Sequence, residues 1–110
     1  VVPFNLIVDG AVAAGEGVRF HGGIRAAGDV ALGSGCVVDR SIAAEGSVRL
    51  GPGCVVREVV HAGADFDAAG GVEVGGETHG GVAAMGTARL GAGVVVRNRI
   101  YAEHGARCDW

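Results

Sequence analysis

At 110 residues the chain has room for one domain with its own core and no more. Gly fills 22 positions, but two prolines and no Gly-X-Y period exclude collagen, and a hydrophobic fraction of 49% speaks against a disordered tract. A net charge of −3, with every basic residue an Arg, leaves no basic patch, so nucleic acid is not an expected partner.

The opening segment, residues 1–8 (VVPFNLIV), is apolar but lacks a positive flank and a cleavage site, so it does not read as a signal peptide. No run of 18 apolar residues follows, so no membrane span is expected. From Leu6 onward the apolar residues fall in pairs spaced i, i+2: Leu6/Val8, Val12/Ala14 and Val18/Phe20. Ile24/Ala26, Val30/Leu32 and Cys36/Val38 come next, then Ile42/Ala44, Val48/Leu50 and Cys54/Val56, then Val60/Ala62, Phe66/Ala68 and Val72/Val74. Each pair begins six residues after the last. Two inward side chains with one outward residue between them make a short strand, and the three small or polar residues that follow make a corner.

Identity recurs at eighteen residues: Ile24-x-Ala26 returns as Ile42-x-Ala44, and Cys36-x-Val38 as Cys54-x-Val56. Three strands therefore make one coil, and like residues stack on like about 4.8 Å apart. The expected fold is all-β: a single-stranded, triangular parallel β-helix of about five and a half coils, occupying residues 1–110 as one domain. After Val74 the pattern resumes at Val82/Ala84, and the step from coil to coil becomes 22 on every face. One four-residue insertion explains this, and residues 75–81 read as a protruding loop. The corner between the second and third faces reads GEG (15–17), GSG (33–35), GPG (51–53), AGG (69–71) and GAG (91–93), a Gly column suited to positive φ. Asp29, Glu45, Asp65 and Glu103 fall on the preceding corner and are expected to be solvated.

The stretch GGIRAAGDVALGSGCVVDRSIAAEGSVRLGPGCVV (22–56) resembles the bactofilins, polymer-forming cytoskeletal proteins of bacteria. The resemblance covers nearly the whole chain and rests on the strict eighteen-residue repetition. It implies a right-handed β-helix that polymerises end to end without nucleotide, as a cytoplasmic scaffold in cell shape or protein localisation. It further implies that the main partner is the chain itself, with membrane-associated or cell-envelope proteins as others. Two departures stand out: the disordered tails usual in the family are not seen in this sequence, and its uninterrupted core is broken here at 75–81.

LGSGCV (32–37) and LGPGCV (50–55) also look like the hexapeptide repeat of left-handed β-helix acyltransferases, which would make the chain an enzyme with a His general base. The four histidines argue against it. His21 and His104 fall on corners, His61 points outward, His79 lies in the inserted loop, and none has a companion carboxylate at a spacing that forces contact. Glu77 and His79 share that loop, but no further ligand stands nearby in the repeat, so no metal, cofactor or small-molecule substrate is expected. Three cysteines without CxxC or CxH spacing fit a reducing compartment. Cys36 and Cys54 are expected to be stacked buried thiols, with neither the exposure nor the base a nucleophile needs.

Outward residues on the second face alternate in sign through Arg49, Asp67 and Arg89, and the stacked outward pair Val37 and Val55 is a candidate lateral contact. Neither end of the repeat carries a helix or a charged cap, although repeat proteins usually place polar units there. Open apolar ends suit strand addition by another subunit. Phe4, Leu6, Val8, Ile100, Ala102, Cys108 and Trp110 are the candidate polymerisation interface. The leading expectation is a structural, self-assembling protein and not an enzyme. A non-polymerising β-helix binding module and an acyltransferase-like trimer are the alternatives.

Overall fold

A run of two or three alternating apolar residues cannot hold a strand by itself, because its ladder has nothing beside it. Stacked on its own repeat, each such run gains a partner above and below. The computed structural model, which describes residues 5–75, 80–97 and 100–108, shows this arrangement. The first coil contains β1 (Leu6–Val8), β2 (Val12–Ala14) and β3 (Arg19–Phe20), and the second β4 (Ile24–Ala26), β5 (Val30–Leu32) and β6 (Val37–Val38). The third holds β7 (Ile42–Ala44), β8 (Val48–Leu50) and β9 (Val55–Val56), and the fourth β10 (Val59–Ala62), β11 (Phe66–Ala68) and β12 (Glu73–Val74). Above them lie β13 (Gly81–Ala84), β14 (Ala88–Leu90) and β15 (Val95–Val96), then β16 (Ile100–Ala102) and β17 (Ala106–Cys108). The chain is an all-β solenoid of about 5 turns with about 18 residues per turn.

Every third strand joins the same sheet. The first sheet runs β1-β4-β7-β10-β13-β16, the second β2-β5-β8-β11-β14-β17, and the third β3-β6-β9-β12-β15, with all pairs parallel. Register follows the repeat: Ile24 lies between Leu6 and Ile42, and Val30 between Val12 and Val48. The inward residues form one continuous core, from Val12 at one end to Leu90 at the other. Phe66 is its largest wholly buried side chain, and most of the rest are Val, Ile, Leu and Ala.

The 22-residue step lies where the sequence places it, with Val60 opposite Val82, Phe66 opposite Ala88 and Glu73 opposite Val95. The loop is shorter than 75–81, however. Gly81 is buried in β13, paired with Val59, and the Gly75 amide donates to the Val56 carbonyl, so both ends belong to the ladder. Residues 76–79 lie outside the described set.

The Gly corner serves two separate needs. Gly17, Gly35, Gly53, Gly71 and Gly93 hold φ between 68 and 74°, a conformation that costs an L side chain about 1–2 kcal/mol. Gly51 is excluded from carrying a side chain for another reason: a Cβ there would lie 2.7 Å from the Gly33 carbonyl carbon of the coil below.

Candidate functional site

The ends of the solenoid differ from its middle in one measurable way. Ile42 and Val60, with a coil on either side, are fully buried, whereas Ile100, the same position in the last coil, is 37% exposed. Leu6 and Val8 in β1 and Ala102 in β16 are half-buried. The loss of one neighbouring coil therefore opens the core cross-section to water. Each terminal strand is also a free edge: among the described residues β1, β2 and β3 pair only upward, and β15, β16 and β17 only downward. The Leu6 amide donates to the Gly23 carbonyl in the coil above, so by strand alternation the Ile7 amide points away from the body. Cys108 ends β17, and Phe4 and Trp110 lie outside the described residues.

A charged cluster sits on the corner between the third and first sheets. Asp39 Oδ2 lies 3.0 Å from His21 Nδ1 and 3.3 Å from an Arg19 guanidinium nitrogen, and Asp39 Oδ1 lies 3.2 Å from Arg57 Nε. This corrects the expectation that no histidine has a companion carboxylate. His21, Asp39 and Arg57 are eighteen residues apart, so they occupy one corner slot in three successive coils. Partial desolvation raises the Asp39 pKa, but the His21 hydrogen bond and the charges of Arg19 and Arg57 outweigh it and hold the carboxyl below its ordinary value. The cluster stands on a corner of the prism with the His21 side chain 46% exposed.

On the corner between the first and second sheets Asp29, Glu45, Asp65 and Glu103 are all exposed, as expected. Two of them also accept backbone hydrogen bonds: Asp29 Oδ1 accepts from the Ser47 amide at 2.7 Å, and Asp65 Oδ1 from the Thr87 amide at 2.9 Å. Ser47 Oγ accepts in turn from the Asp65 amide at 3.3 Å. Asn5 and Ser41 do the same on another corner, toward the amides of Gly23 and Val59. Side-chain oxygens thus satisfy corner amides of the coil above, which the strands cannot reach.

Cys36 and Cys54 are free and wholly buried, as expected. Their thiols lie 3.0 Å from the carbonyl oxygens of Gly15 and Gly33, one Gly corner below each. Burial pushes the Cys54 thiol up, which keeps it protonated as a donor and not a thiolate. Val37 and Val55 stand opposite each other in register and are half-buried. Arg49 and Asp67 are 4.0 Å apart on the second face, His61 stacks on Ala83, and His104 is exposed on its corner. Glu77 and His79 lie outside the described residues, among which no group of three His, Cys, Asp or Glu side chains converges. Asp39 was missed because the repeat was read on apolar residues alone; charged residues at the same eighteen-residue separation carry the signal.

A concavity of about 490 Å³ lies on the outer face of the first sheet between Ile7, Arg25, Ala43 and His61, bordered by Glu45. Comparison of the chain with family models, with curated proteins and with solved structures returned no match.

Proposed function

We propose that this chain is a non-enzymatic structural protein that assembles end to end into filaments without nucleotide. The observation that supports this most is the change from complete burial at Ile42 to 37% exposure at Ile100, beside end strands that, among the described residues, have a partner on one side only. Addition of a second subunit supplies the missing coil, buries that apolar surface and pairs the edge amides. The resemblance to bactofilins points the same way and suggests a cytoplasmic scaffold, membrane-associated in some settings, that acts in cell shape or protein localisation. Negative-stain microscopy of the purified protein tests the reading. Filaments of roughly the width of one solenoid are expected, and uniform single particles at high protein concentration overturn it.

One observation favours a second reading. The 3.0 Å contact between His21 and Asp39 is the pairing that orients a general base, as an acyltransferase-like trimer would use. Arg19 and Arg57 compete for the same carboxylate, which makes this the weaker reading. An acyl-transfer assay with wild type and His21→Ala decides it: turnover that depends on His21 supports the enzyme.

A further inference from the structure

The first sheet presents one outward residue per coil: Ile7, Arg25, Ala43, His61, Ala83 and Tyr101, in ladder register. Both ends of this row are large and apolar, with Ile7 75% and Tyr101 54% exposed. Ala43 and Ala83 leave gaps, and the groove of about 490 Å³ opens over the first of them. Among the described residues Arg25 and His61 have no ion pair, nor do Glu45 and Glu103, which border the same face on its acidic corner.

We propose that this face pairs with the same face of a second copy running in the opposite direction. A two-fold axis across the row, between Ala43 and His61, sets His61 of one copy over Ala43 of the other. It also sets Arg25 over Ala83 and Ile7 against Tyr101. Large residues then enter the gaps left by small ones. His61 arrives beside Glu45 of the facing copy, and Arg25 within a side chain's reach of its Glu103. Pairing in the same direction does the reverse: Arg25 meets Arg25, His61 meets His61, and the gaps at Ala43 face each other and stay empty. Like charges and unfilled space both disfavour that arrangement.

The contact is small. Six strands at about 4.8 Å, each showing about three residues at 3.3 Å, give a flat area of roughly 300 Å² a side, well under the roughly 800 Å² of a stable pair. Single subunits will therefore not hold together by this face. A filament repeats it along its length, and the joined contacts act together. The inference rests on the filament reading for its strength: the face is what ties filaments side by side.

Cross-linking tests it. Two single variants, Ala43→Cys and H61C, are mixed in equal amounts, assembled and mildly oxidised, and the linked cysteines are identified by mass spectrometry. The expected product is the mixed dimer, with Ala43→Cys homodimers several-fold rarer. Predominant Ala43→Cys homodimers overturn the antiparallel arrangement, and filaments that pellet without cross-links overturn the face itself while the filament reading stands. Absence of filaments with mixed dimers forming at high concentration sinks the filament reading and leaves the face. Absence of both sinks both. A43R, which fills the groove, gives single filaments of normal length where wild type gives pairs.

Discussion

Asp39 is held by a hydrogen bond to His21 and by the charges of Arg19 and Arg57, drawn from the coils on either side of it, and its carboxyl is correspondingly more acidic than usual. A group whose folded pKa is depressed adds stability above its unfolded value of about 3.9, and that stability is lost as pH falls through the folded pKa. Asp39→Asn should therefore lower the melting temperature at pH 7, by about 1 kcal/mol or roughly 4 °C, and the gap from wild type should close below about pH 3.9. Melts at pH 7 and pH 2.5 check this; a gap of equal size at both would mean that packing and not charge accounts for it. The two Gly columns separate by the same approach. Gly35→Ala meets open space but a φ of 70°, so about 1 kcal/mol is expected. Gly51→Ala drives a Cβ into backbone that cannot yield, and urea unfolding should show about 2–3 kcal/mol lost.

The break after β12 tests how autonomous the coils are. Removal of residues 76–79 leaves Gly75, Gly80 and Gly81 where Arg57, Glu58 and Val59 stand one coil below, which restores a three-residue corner. The fold should survive with stability changed by less than about 1 kcal/mol, since a shorter closure costs slightly less entropy. A circular-dichroism melt checks it; a large loss would show that the segment packs on the body. The strands, their grouping into three sheets and the site of the break were all legible in the sequence, because each inward Val, Ile or Leu marks its own position. Gly81 was not, since a strand residue without a side chain carries no such mark. The corner contacts were hidden as well: Asp29 with Ser47, and His21 with Asp39, lie eighteen residues apart on polar positions where no apolar pattern draws attention. Phe4 and Trp110, named from the sequence as end residues, lie outside the described structure.

Among the described residues each coil pairs with the coils above and below it, so the proposed assembly through the ends can be tested there. Ile7→Pro removes the amide that faces away from β1, while the Leu6 bond to Gly23 and the core beneath are kept. It should leave the melting temperature within a few degrees of wild type and cut filaments to pairs or single subunits, scored by pelleting and microscopy. Unchanged long filaments would exclude growth through β1. The 37% exposure of Ile100, against none at Ile42, also describes a gradient of local opening. Amides of β1 and β16 have one ladder partner and little buried surface, so they should exchange with deuterium fastest, and those of β7 and β10 slowest. Each joint of the proposed filament would turn two such end coils into interior ones. If the chain grows end to end as proposed, folding of the outermost turns and growth of the polymer draw on the same free energy, and the apparent melting temperature should rise with protein concentration.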